Sequence, residues 1–347
     1  MKRSFLPFLF VVLGACACVK NGDLFSYTDP DEVRDFQIEG LTMDNFPFVD
    51  SSTSTSPLRD IVMYNLLDIP YSWTKNWISG AEYYVAFDIP DDMEIGSPEH
   101  IAYTDRLHEL GQYNGSHGAY VNLIDGVTDV IIDSRDISRN EEVYAREKGV
   151  AYQTKPLAWD ALVFIVNPAN RVRSLSREEI RDIYAGRITN WGEVGGAAQE
   201  IHPYMRNADS GSQEKMETMV MQGTPMVDLP EMVGSVMESP YISIERDNSG
   251  IGYTPYYYCE RMVGDLRQVK VLAVDGVYPN AATILNGAAG RERDAYPYVS
   301  NIYAAIRKDE PADSYARRIY EWLSTPRAKD IVDESGYISM RSHRLAN

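Results

Sequence analysis

Cysteine is nearly absent from this 347-residue sequence: Cys16, Cys18 and Cys259 are the only three. That number excludes a disulfide framework, and Cys259 reads as a buried free thiol. Histidine is scarce as well, with five residues and no His-Glu-x-x-His pattern. His100, His108 and His117 read as scattered polar side chains rather than a metal triad. Cations are outnumbered, 33 Lys and Arg against 51 Asp and Glu, for a formal charge of -18. A chain with that balance has little with which to replace counterions along a phosphate backbone, so nucleic acid is excluded as a partner. A small anion is not, because a few donors at close range outweigh a diffuse field that salt screens beyond about 10 Å. Cofactor signatures are missing too. There is no Gly-x-x-x-x-Gly-Lys-Ser/Thr loop, no Gly-x-Gly-x-x-Gly after a strand and no Gly-x-Ser-x-Gly elbow. No carboxylate pair is singled out by spacing, and no repeat of 20 to 50 residues is found. The sequence offers anion-binding chemistry more readily than bond-making chemistry, and no cofactor is expected.

What is present begins with Lys2, Arg3 and the apolar run FLPFLFVVL, an export signal over 1–15 that is too short to span a bilayer. LGAC, residues 13–16, resembles a bacterial lipobox, which makes Cys16 the lipidated mature N-terminus. A plain cleavable signal with incidental cysteines is the alternative. Residues 16–30 then form a tether to the membrane.

Beyond the tether the composition is globular, with 44% hydrophobic and 24% charged residues, enough for one large or two ordinary domains. IDGVTDVIIDSRDIS (124–138) and DALVFIVNP (160–168) read as strands. SPLRDIVMYNLL (56–67), SREEIRDIYAG (176–186) and DSYARRIYEWLS (313–324) read as helices, and the alternation is that of an α/β chain. Ser176 with Glu179 makes a capping box, and Thr325 and Pro326 suit the start of a last helix that ends before Gly336. Residues 68–113, rich in Tyr, Trp and Asp, follow no assignable period.

Three loops carry small hydroxyl residues immediately before a helix. RNADSGSQEKMETMV (206–220) puts Arg206 ahead of Ser210, which caps a helix with Gln213 as the reciprocal partner; Gly223 is the stop. The stretch is either an ordinary capped helix with an exposed arginine or an anion seat, since a helix start presents free N–H groups and a partial positive charge. VDSSTSTSPLRDIV (49–62) and NGSHGAY (114–120) repeat the arrangement. Three such loops in one exported chain favour an oxyanion cage.

PLAWDALVFIVNPANRVRSLSREEIRDIYAGRITNWGEVGG (156–196) resembles the signature region of the phosphate-binding proteins of bacterial phosphate ABC transporters: a strand, NPAN, a helix and ITNWxEVGG in that order. SSTSTSP, SHGA, RNADSGS, SGIGYTPY (249–256) and YPYVSNIYAAIRKDE (296–310) fit the same family in the same order, so the resemblance covers roughly 48–340. It implies a two-lobed periplasmic-binding-protein fold with the ligand cleft between lobes, one built from 31–155 plus 270–347 and the other from 156–269. It also implies a non-catalytic protein that binds inorganic phosphate or a related oxyanion and delivers it to an ABC transporter permease. Carried over by position, Ser54, Thr55, Ser116 and the amide of Gly118 serve as donors from the first lobe, and Arg206, Ser210, Gly211 and Ser212 from the second.

The sequence departs from the family at three places. Ser51 stands where glycine is usual, and Ser212 where threonine is. Ser134 is followed by Arg135 where the phosphate-specific proteins have Ser-Asp, whose carboxylate accepts a proton from hydrogen phosphate and repels sulfate. Arginine is donor-only. Ser134 and Arg135 are therefore carried as ligand residues of altered chemistry, with Asp133 or Asp136 as the substitute acceptor, or Arg135 as a surface residue paired with one of them. Two other readings stand beside transport: a sensor or interaction protein of the same fold with a different ligand, and a hydrolase using Ser210 or Ser212, for which no base is evident.

Overall fold

Capping residues set most helix starts in this chain, and apolar alternation sets the strands between them. The computed structural model describes residues 38–340, apart from 77–79 and 81. The signal, Cys16 and the tether lie outside the described residues. The first half runs β1 (Val49–Ser51), α1 (Ser56–Leu67), β2 (Tyr71–Lys75), β3 (Tyr83–Phe87), α2 (Pro98–Leu110), α3 (Gly115–Asp125), β4 (Val130–Asp133), α4 (Arg139–Lys148) and β5 (Tyr152–Val166). β6 (Ser174–Leu175), α5 (Arg177–Tyr184), β7 (His202–Pro203), β8 (Met205–Arg206), α6 (Gly211–Lys215), β9 (Val233–Gly234), α7 (Ser239–Arg246) and β10 (Gly250–Pro255) follow. β11 (Lys270–Val271), β12 (Ala273–Val274), α8 (Ala281–Ala288), β13 (Val299–Arg307), α9 (Tyr315–Trp322), α10 (Pro326–Ser335) and β14 (Ile338–Ser339) complete the described chain.

The expected helix over 56–67 forms with those bounds, burying Leu58, Ile61, Val62 and Leu66. In α5 the capping box is present, with Ser176 accepting from Glu179 N and Ile180, Ile183 and Tyr184 buried. Thr325 caps α10 by accepting from Ala328 N, and Gly336 ends it at φ +94°. The stretch 124–138 differs from the expected strand. α3 extends through Asp125, and only Val130–Asp133 is β. The unassigned 68–113 segment is an antiparallel hairpin of β2 and β3 followed by α2.

The main sheet is mixed, in the order β1-β4-β13-β5-β10-β7. β5 is its axis. The first part of β5, Tyr152 to Ala161, pairs with β13, and the second part, Leu162 to Val166, pairs with β10. Helices cover both parts, giving the two-lobed α/β fold with one long strand shared by the lobes. The C-terminal half of β5 is buried throughout, as a strand covered on both faces must be. Cys259 is buried and unpaired, and burial pushes its thiol up to about 12, which makes it inert at neutral pH. Among the described residues no helix is long and apolar enough to cross a membrane.

Candidate anion cleft

Three helix starts converge where the lobes meet. The first is the Thr53–Thr55 turn that leads into α1, the second the start of α3, and the third the start of α6. α6 runs without a break into a π-helical segment, Met216–Met221. Buried Asp50 fixes the second start. Its carboxylate accepts from the backbone N–H and side-chain amide of Asn114, at 3.0 and 2.7 Å, and from the amide of Asn122 at 2.8 Å. Ser210 fixes the third, accepting from Gln213 N at 3.1 Å. The reciprocal arm of that expected capping box does not form. Gln213 Oε1 instead takes the hydroxyl of Tyr253 and the backbone N–H of Arg206.

These starts line a cleft of about 740 Å³. Ser116, Gly118 and Ser134 face it from one side, and Arg206, Ser210, Gly211 and Ser212 from the other. The lobes touch here. A Cβ on Gly211 would lie 2.6 Å from Ser116 Oγ and 2.7 Å from Ser134 Oγ, so only glycine permits this approach.

The other sequence-selected residues lie elsewhere. Thr55 Oγ1 donates to the carbonyl of Ile132 at 2.7 Å and is shared with Ser52, so it staples the loop to β4 rather than lining the cleft. Ser54 is fully buried with its Oγ unpartnered. From this loop it is Ser52 and Thr53 that line the cleft. Arg135 is not a cleft residue either. Its guanidinium grips Glu141 with both arms, at 2.8 and 2.6 Å, and packs over the Tyr120 ring. Neither aspartate is its partner: Asp133 accepts only its backbone N–H, and Asp136 offers only its carbonyl. Burial alone would raise the Glu141 carboxyl, but Arg135, Ser138 and His117 outweigh it and hold it below the usual carboxylate range.

Arg206 contrasts with that pair. At 6% exposure it donates to the carbonyl of Gly234 (3.3 Å), the sulfur of Met237 (3.2 Å) and the side-chain oxygen of Asn207 (3.5 Å). It forms no ion pair among the described residues. A buried guanidinium surrounded only by neutral acceptors is suited to receive an anion.

No motif in the sequence pointed to the outer rim. Glu82, from the β2–β3 hairpin, reaches across the cleft to accept the hydroxyl of Tyr258 at 2.9 Å, and burial, with Glu238 nearby, raises its carboxyl. A second groove, of about 610 Å³, lies between α5 and Tyr298, but its cations are engaged, Arg177 with Asp275 and Arg181 with the carbonyl of Val220.

A family model described as a PBP superfamily domain matches residues 108–324. The chain belongs to the PBP superfamily. SphX of Synechococcus elongatus is 28% identical over 199 residues, 54% of this chain and 58% of its own length. Phosphate-binding protein PstS of Borreliella burgdorferi is 25% identical over 235 residues, 66% of this chain and 78% of that one. The fold matches a candidate phosphate ABC transporter substrate-binding protein of Clostridium perfringens, with phosphate bound, at TM-score 0.59 and 20% identity, over 85% of this chain and 99% of that one. An ABC-type phosphate transport receptor of Vibrio cholerae matches at 0.55 and 22%, over 84% and 99%. At these identities the structures fix the PBP fold, and the resemblance drawn from residues 156–196 holds.

Proposed function

We propose that this PBP-superfamily protein captures inorganic phosphate, or a closely related oxyanion, between its lobes without catalysis and presents it to an ABC transporter permease. One observation carries the reading: buried Arg206 has no carboxylate partner among the described residues and faces a cleft built from three helix starts. The names of the matching relatives support phosphate as the ligand. The ligand residues of this reading are Ser52, Thr53, Ser116, the amide of Gly118, Ser134, Arg206, Ser210, Gly211 and Ser212. Ser210 works as a helix cap and, among the described residues, has no histidine or carboxylate base bonded to it, which supports a binding role over hydrolysis. The lobe division we propose lets the chain cross within β5 and return after β12, which pairs with β6. Ligand that contacts both sides then favours the closed form, the state a permease reads. Lipidation at Cys16 and a cell-envelope location belong to the same proposal.

Thermal melts of the form starting after Cys18, freed of copurified ligand, test it. Phosphate at 100 times its Kd should stabilise by about 2.7 kcal/mol. Absence of any shift with phosphate or sulfate overturns the reading. A second reading, a larger organic oxyanion bound by a sensor of the same fold, is favoured by the cleft volume, which lies in the range of small-molecule sites. A shift with organic phosphates alone would select it.

A further inference from the structure

The groove between α5 and Tyr298 lies outside the anion cleft and shares no lining residue with it. Its two cations differ. Arg177 is neutralised by Asp275, which accepts from its side chain at 2.5 Å and from its backbone N–H at 3.0 Å. Arg181 meets neutral acceptors alone, the carbonyl of Val220 at 2.9 Å and the side-chain oxygen of Gln222 at 3.0 Å, and it forms no ion pair among the described residues. It shares this state with Arg206: a guanidinium whose charge the described chain does not answer.

A separate feature of the groove is an orphaned hydroxyl. Tyr298 is 3% exposed and lines the groove, and its phenol has no hydrogen-bond partner among the described residues. Leaving such a group dry is costly, and a phenylalanine would fill the same space without that cost. The charges that act on the hydroxyl are those of the groove, Arg177, Arg181 and Asp275, which places it at the groove end of the ring. Burial pushes the phenol up to about 12, so at neutral pH it keeps its proton and donates.

The remaining walls set the class of occupant. Met219 and Pro297 add apolar surface, and a volume of about 610 Å³ is that of a small-molecule site rather than of a bare inorganic anion. Glu178 lines the groove as well. With Arg177 and Asp275 cancelling, Arg181 is the one cation set against it, so a second negative charge on the ligand meets repulsion.

We propose that this groove is a second ligand site, for a small organic monocarboxylate, with Arg181 and the Tyr298 hydroxyl donating to the carboxylate while Met219 and Pro297 pack on its apolar body. The site does not depend on the oxyanion reading of the cleft. Its place in the fold is central nonetheless. The Tyr298 carbonyl accepts the N–H of Leu162 at 2.9 Å, where β5 passes from β13 to β10. Gln222 caps the far end of the helical run that starts at Gly211 in the cleft. An occupant therefore touches both the strand shared by the lobes and the back of a cleft helix.

Titration calorimetry with lactate, benzoate, succinate and inorganic phosphate, together with melts of the ligand-free protein, tests the assignment on wild type, Tyr298→Phe and Arg206→Ala. Lactate or benzoate should bind the wild type more tightly than succinate does, and Arg206→Ala should leave that affinity within about twofold. Tyr298→Phe should weaken the carboxylate by about tenfold without lowering the ligand-free Tm or the phosphate affinity, a combination that a purely structural hydroxyl would not give. Arg181→Gln, expected to weaken the carboxylate by about 30-fold or more, carries the test where Tyr298→Phe fails to fold. The assignment falls if neither monocarboxylate binds the wild type, if Tyr298→Phe binds it as well as the wild type does, or if succinate is preferred. Loss of carboxylate binding in Arg206→Ala would also overturn it, by placing the carboxylate in the cleft.

Discussion

Arg135 and Arg206 are buried almost equally, at 7% and 6%, and each stands close to cleft serines, yet their surroundings are opposite. Arg135 is neutralised within its own lobe by Glu141, which is itself held by Ser138 N and His117. Among the described residues the Arg206 guanidinium meets only a carbonyl, a thioether and an amide. Burial therefore does not separate a structural cation from a binding one. What separates them is whether the chain supplies the opposite charge. Taking a guanidinium out of water costs several kcal/mol; Glu141 offsets this for Arg135, and for Arg206 the proposed anion would supply the offset.

The strongest way to break the comparison is Arg135→Ala. It strands Glu141 as a buried charge, so stability should fall by about 3–5 kcal/mol in urea melts, while phosphate affinity of the folded protein stays within a few-fold. A loss of binding without a loss of stability would make Arg135 a ligand residue after all. Arg206→Ala should give the converse: affinity reduced by roughly 100-fold or more by calorimetry, with the ligand-free Tm little changed.

Asp133 sharpens the contrast from the acidic side. Its carboxyl titrates near 6 rather than 3.8, so its stabilising contribution is complete below pH 3.8 and is lost as pH rises through 6. Asp133→Asn should stabilise the ligand-free protein by about 3 kcal/mol at pH 8, at about 1.4 kcal/mol per tenfold in proton affinity, and by almost nothing at pH 4. Urea melts at the two pH values check this, and an equal effect at both would mean that Asp133 is not the titrating group. The smallest expected effect is Ser210→Ala, the loss of one helix cap, at about 1 kcal/mol. A loss of binding far beyond that would show that the Ser210 hydroxyl serves the ligand as well as the helix.

The helix starts were legible because capping is local chemistry. Ser176 with Glu179, Thr325 with Pro326, and Ser210 all begin helices where the sequence places them. Partner choice was not legible, because it is tertiary. Gln213 reaches Tyr253, a residue forty positions away, instead of its own cap. In SSTSTSP the hydroxyls are chemically alike, and only the short turn at Thr53–Thr55 decides that Thr55 points to Ile132. The polar start of β5 hid behind Pro156, a residue that cannot donate to a sheet ladder. The structure places it beside a register irregularity opposite Ile302 and Tyr303, the kind of position where a strand tolerates proline. Residues 68–113 gave no period because α2 buries only Leu107 and Leu110, and β2 and β3 find their main partner in each other.

The place of β13 in the sheet has a consequence for the order in which the molecule can assemble. Residues 299–307 lie between β4 and the first half of β5, so strands made early in synthesis wait for one made near its end. Until Val299–Arg307 emerges, β4 and β5 present unpaired edges, and pairings of this sequence separation slow folding. A chain truncated before residue 299 keeps its cleft serines and Arg206 but loses the strand that joins their platforms. Such fragments should collect as aggregates through those open edges rather than survive as a working half.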